Sequence, residues 1–193
     1  TITSVGINTG ATGHGMELGS WQRPNVTTSL IAGGGDATHP AIRLDGTSNG
    51  SNGIVFVNTS VEAPGAGGIH ITGRTTNGSR GVNSIKRLLA ASGPIVVDGG
   101  SKGVATAAEA QLGALAGSTV ATSSSAISLS GDTVTFNGTP GTTVTTTGAL
   151  TVQPSSGSFS GALTWPISNL TLAPTVSGLT LGKAGNTAGI IVA

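Results

Sequence analysis

One five-residue phrase recurs along the chain: apolar, any, apolar, any, Gly. It stands as Ile42-Arg43-Leu44-Asp45-Gly46, Ile69-His70-Ile71-Thr72-Gly73, Ile95-Val96-Val97-Asp98-Gly99 and Ile127-Ser128-Leu129-Ser130-Gly131. The copies are spaced by 27, 26 and 32 residues. Looser copies are Val134-Thr135-Phe136-Asn137-Gly138 and Leu179-Thr180-Leu181-Gly182. A second series runs between them, as Gly53-Ile54-Val55-Phe56-Val57, Gly81-Val82-Asn83 and Gly103-Val104-Ala105, with spacings of 28 and 22. A near-constant period with two strand types in each period is the signature of a repeat architecture. The period predicts a parallel β-solenoid, each repeat making one coil of two or three short strands. A β-sandwich, the main rival, shows turn signals every 8–12 residues or so but no in-register template.

The solenoid reading places the two apolar positions of each phrase inward, because successive strand residues point to opposite faces. Coils stack about 4.8 Å apart. Equivalent residues then form ladders: Ile42, Ile69, Ile95 and Ile127 in one, Leu44, Ile71, Val97 and Leu129 in the next. The closing Gly is expected to supply a positive φ at the corner. Stacking also accounts for the composition. Only 8% of residues are charged, against about 25% in a typical soluble domain. Like charges stacked on every rung repel, whereas Thr, Ser and Asn hydrogen-bond along a ladder.

The same composition excludes several classes. A net charge of +1 leaves no basic stripe for a nucleic-acid partner. No apolar run is long enough to span a membrane as a helix. The absence of Cys removes disulfides, thiolate metal sites and Cys nucleophiles. With 36% apolar residues and a mean hydropathy of +0.23, the chain can bury a core, unlike a disordered Gly/Ser/Thr segment.

Residues 1–131 read as coils of this kind, with an irregular stretch at 83–117. There Asn83–Ser92 carries Lys86 and Arg87 side by side and reads as a degenerate coil. Lys102–Gly117 is Ala-rich, with Ala108, Leu112 and Leu115 at helical spacing, and is open to either a short flanking helix or a degenerate coil. It is also the expected source of the 32-residue gap. Residues 132–193 read as further Thr-rich coils continuous with the same solenoid. Thr1–Ile7 and Gly189–Ala193 both read as strand, as in a segment of a longer mature chain.

Candidate sites are few. Asp45 and Asp98 occupy the same template position, with Thr72 between them. They are expected two rungs apart, roughly 9–10 Å, a separation compatible with an inverting glycosidase. The alternative is two turn carboxylates bonding backbone N–H groups. Convergence of Asp45, Asp98 and Arg43 or Arg74 in one cleft is what an enzyme requires. His14, His39 and His70 show no metal-ligand spacing, and no phosphate loop is present. Neither a metal nor a cofactor is called for. Trp21, in a loop before Gln22-Arg23-Pro24, is a candidate for stacking on a glycan. Trp165, before Pro166, reads as packing at a corner. Asn-x-Ser/Thr sequons stand at Asn25, Asn49, Asn58, Asn77, Asn137 and Asn169.

Two strings carry a family resemblance. Ile71-Thr72-Gly73-Arg74-Thr75-Thr76-Asn77-Gly78-Ser79-Arg80-Gly81-Val82 and its variant Leu44-Asp45-Gly46-Thr47-Ser48-Asn49-Gly50-Ser51-Asn52-Gly53-Ile54 resemble the coils of giant bacterial adhesins of the filamentous haemagglutinin type. Gly148–Pro154, Leu170–Leu172 and, more loosely, Leu179–Asn186 resemble another recurring segment of those adhesins. The spacings predict an all-β parallel β-solenoid with coils of about 22–32 residues, and the resemblance implies that it is a right-handed β-helix. The resemblance further implies a non-enzymatic shaft or fibre segment at the bacterial cell surface or outside the cell. Its expected partners are neighbouring coils or subunits at the open ends and a host or cell-surface glycan. The alternatives are a β-helical polysaccharide-degrading enzyme and a carbohydrate-binding module.

Overall fold

The computed structural model describes residues 1–23 and 25–193. The fold is nearly all-β and forms stacked parallel coils, a β-solenoid of about six turns. Seven strands make the front sheet: Ile2–Asn8, Ile42–Ser48, Ile69–Thr75, Ile95–Asp98, Ile127–Ser130, Ala149–Gln153 and Gly178–Leu181. They follow one another in chain order across the sheet, and each pair is parallel. The front sheet therefore runs without a break through residue 131 and into the Thr-rich third.

The predicted ladders exist in register. Ile2, Ile42, Ile69, Ile95, Ile127, Leu150 and Leu179 stack as Cα partners. From Ile42 to Leu150 each of these side chains is at most 1% exposed. Leu44, Ile71, Val97, Leu129 and Val152 form the second ladder, equally buried. Fully burying each such side chain contributes about 1.5–3 kcal/mol. The second series stacks too: Met16, Ile54, Val82, Val104 and Val134 are successive partners in the rear sheet. Val134 thus belongs to the second series. It does not belong to the first, where the spacing of Val134–Gly138 had put it, because Ala149–Gln153 fills the front position above Ile127–Ser130.

The rear sheet bends once per coil. In the second coil the bend separates Ile54–Phe56 from Thr59–Ala63. In the third, Val82–Ala90 is a single nine-residue strand that pairs with both of those pieces, so Asn83–Ser92 stays within the stack while Ser84 bends it. In the fourth, Gly100–Lys102 makes one 3₁₀ turn and Val104–Gly113 is a ten-residue strand with two register irregularities. No flanking helix forms from Lys102–Gly117, because its apolar residues feed the rear ladder: Leu112 lies between Leu88 and Val144. The non-glycine residues Asn58, Ser84 and Glu109 take left-handed φ of 44°, 59° and 54° at the bend. Each such residue costs on the order of 1–3 kcal/mol, less for Asn, which tolerates this region best.

The extra length of the 32-residue coil lies later than the sequence suggests, in residues 114–126. This segment crosses the outer face of the rear sheet, where Thr119 donates through N and Oγ1 to Glu62 Oε2. Beneath it Glu62 is 7% exposed, and Leu89, on the neighbouring rung, is fully buried.

The closing glycines of the looser copies, Gly138 and Gly182, take the expected positive φ of 85° and 84°, but those of the main copies have a different cause. Gly46, Gly73 and Gly99 do not take positive φ. They sit where the front and rear sheets pinch together. A Cβ on Gly73 would collide with the carbonyl oxygen of Gly81, and one on Gly81 would collide with the carbonyl oxygens of Gly99 and Gly73. Only a residue without a side chain allows that backbone approach.

Candidate functional site

The two carboxylates singled out in sequence are placed as the template requires, with Asp45, Thr72 and Asp98 on successive rungs. Neither lines any of the four best-formed concavities among the described residues. Asp45 Oδ2 accepts from Arg43 Nε at 2.8 Å. Asp98 Oδ2 accepts from Arg74 Nη2, while its Oδ1 accepts from Gly100 N at 2.9 Å and from Ser155 Oγ at 2.8 Å. Arg74 also donates to the Gly73 and Asp98 carbonyls. Each acid is thus held by its own arginine, and Asp98 closes the corner between the front strand and the 3₁₀ turn.

Partial burial pushes the Asp98 carboxyl up. The Gly100 N–H, the Arg74 guanidinium and the Ser155 hydroxyl together outweigh that and hold it below the ordinary carboxylate value. A folded pKa below the unfolded one contributes stability that is present above about pH 4 and fades as the pH falls through the folded value. Asp98→Asn is therefore expected to lower stability by about 1 kcal/mol at pH 7. The gap between wild type and variant closes in acid, as denaturant melts at pH 7 and below pH 3 will show.

The histidines lie apart. His14 Nδ1 meets Ser51 Oγ at 2.9 Å within the stacked corner loops. His39 sits in an exposed turn organised by Asp36, whose Oδ1 accepts from Thr38 Oγ1, Thr38 N and His39 N. Those bonds, the Thr38 hydroxyl first, hold Asp36 far below the usual carboxylate range. His70 faces outward between Arg43 and Val96. Partial burial, then the Arg43 charge, lowers its pKa against the pull of Asp45. Among the described residues no three His, Asp or Glu side chains converge as a metal site.

A broad, open concavity lies at Trp21. In the first coil the chain leaves the rear sheet at Gly19 (φ +96°), which crosses directly over the Val57 carbonyl. A turn with Arg23 N donating to Ser20 O, and Gln22 N to Ser20 Oγ, carries Trp21 outward. The chain returns at Thr28, whose N–H donates to Asn58 O. The result is a groove of about 480 Å³ along the outer bend of the rear sheet. Its wall is Trp21 and Asn25 from the first coil. Asn58, Ser84, Lys86 and Ala108 follow from the next three. Trp21 is 58% exposed. Lys86 Nζ bridges to Ala108 O at 2.8 Å and Glu109 Oε2 at 3.2 Å, which neutralises it in place.

Sequence reasoning found Trp21 but not Ser84 or the Lys86–Glu109 pair. That pair is 23 residues apart, one coil length, and opposite charges at the repeat spacing were the available signal. Trp165, in contrast, is half-buried in the short strand Leu163–Trp165, paired with Ile190–Val192. Of the sequons, Asn25, Asn49, Asn77, Asn137 and Asn169 are exposed and Asn58 is half-buried.

The ends of the stack are the other notable surface. Among the described residues, the outer edges of Ile2–Asn8 and Gly178–Leu181 have no partner strand. Among the described residues, the exposed large hydrophobic side chains lie in the first 31 or last four positions: Val5, Ile7, Trp21, Val26 and Ile31, then Ile190, Ile191 and Val192. No helix is long and apolar enough to cross a membrane. No family model, curated protein or solved structure matches the chain.

Proposed function

We propose that this chain is a shaft segment of a bacterial adhesin or fibre of the filamentous haemagglutinin type, working at the cell surface or outside the cell. Its role is mechanical: a rigid stack of coils that spaces and presents loops. The observation that carries the reading is the in-register front sheet whose outer strands, Ile2–Asn8 and Gly178–Leu181, have no partner strand among the described residues. Unpaired parallel edges flanked by apolar residues are templates for further strands. Further coils of the same polypeptide, or the opposite end of another copy, satisfy them. A head-to-tail contact between copies is heterologous and propagates as a filament. The motif strings at 44–54 and 71–82 support the family, and the small number of free charges suits a rod whose every rung repeats the same surface. The pairing of Asp45 with Arg43 and of Asp98 with Arg74 supports a structural role for both acids over the polysaccharide-degrading alternative. Electron microscopy of the purified chain at rising concentration tests the reading, because free solenoid edges join end to end.

A further inference from the structure

We infer that the Trp21 groove is a binding site for an uncharged glycan chain, one sugar ring stacking on the indole and the chain lying along the rod axis. The inference goes beyond the shaft reading and does not depend on it.

Three observations carry it. First, the exposed indole is carried on a hydrogen-bonded turn. Ser20 caps that turn, Gly19 is locked against Val57, and Asn58 Nδ2 donates to Thr27 Oγ1 at 3.3 Å on the returning strand. The C–H face of a pyranose matches an aromatic face, and such a side chain with one wet side is a typical anchor. Second, the remaining wall is polar but uncharged in effect. Lys86 is paired with Glu109. Among the described residues, Ser84 Oγ and Asn58 Oδ1 carry no hydrogen bond, and the Asn25 side chain is exposed. Hydroxyls and amides at the rim of an apolar floor are what a ring of hydroxyl groups requires, whereas an acidic sugar needs an unpaired cation that the groove does not offer. Third, the shape fits a chain. The wall is assembled from successive coils, so the groove crosses the strands and runs along the stack. From the rung of Asn58 to that of Ala108 is about 10 Å. The volume, about 480 Å³, lies within the roughly 300–1,000 Å³ of small-molecule sites. The strained Asn58 and Ser84 backbones line this groove, and such strain clusters at ligand sites.

The test uses the whole chain on an array of neutral and acidic oligosaccharides, followed by calorimetric titration of the best neutral one. The wild type is expected to retain neutral oligosaccharides. Trp21→Ala should weaken that binding by about tenfold or more without moving the melting midpoint, since the side chain is mostly exposed. Ser84→Gly keeps the left-handed backbone while removing the hydroxymethyl group, and should weaken binding several-fold at unchanged or higher stability. Trp165→Phe should leave binding intact. Retention of no neutral glycan, binding untouched by Trp21→Ala, or capture of acidic glycans or of proline-rich peptides in their place would overturn the inference. None of those results bears on end-to-end stacking, which is read separately.

Discussion

Gly81→Ala should unfold the centre of the rod, with a loss of more than about 3 kcal/mol. The added methyl points at backbone, not at a flexible side chain: the Gly99 and Gly73 carbonyls lie within collision distance of it. Relief requires the front and rear sheets to separate at the pinch. That shift would propagate, because Gly81 N donates to Gly103 O on the next coil and Gly81 O accepts from Ile54 N on the previous one. Gly157→Ala is the matched control. Nothing lies within 4 Å of the position its Cβ would take, and its φ is not in the left-handed region. It should be neutral or slightly stabilising, by up to about 1 kcal/mol. Urea melts of the two variants side by side separate steric pinching from any general intolerance of glycine replacement.

Ile95→Ala should cost about 2–5 kcal/mol. Ile95 is fully buried and lies between Ile69 and Ile127 in the front ladder. In a stack the cavity has coil above and coil below, so neither neighbour can settle into it without breaking its own register. Val96, the next residue, points outward and is half-buried. Val96→Thr should change stability by no more than about 0.5 kcal/mol, as expected of a surface position on a strand. A comparable loss at both positions would mean that the inward and outward assignment of the phrase is wrong.

The ladders were legible because inward positions repeat in identity as well as in polarity. Ile42, Ile69, Ile95 and Ile127 announce their own register, and the Gly-Ile/Val series at 54, 82 and 104 announces the second. What was illegible is whatever breaks the repeat. Val134 fits either series by local pattern and is assigned only by its partner Val104. The left-handed residues at Ser84 and Glu109 let long strands turn without the Gly or Pro that marks a corner in sequence. The glycines at the pinch were found, but for a conformational reason, whereas their cause is a close approach between segments that no single strand reveals. The groove illustrates the same limit. Trp21 stands out alone, while Asn58, Ser84 and Lys86 join it only once the excursion of the first coil is laid over the three that follow.

The most direct measurement of the shaft account is electron microscopy of the purified 193-residue chain over a range of concentrations. Six stacked coils give a unit about 29 Å long. The account predicts rods of constant width that lengthen with concentration as free edges pair. Discrete particles of unit length at every concentration, with no end-to-end association, would contradict head-to-tail assembly into a fibre.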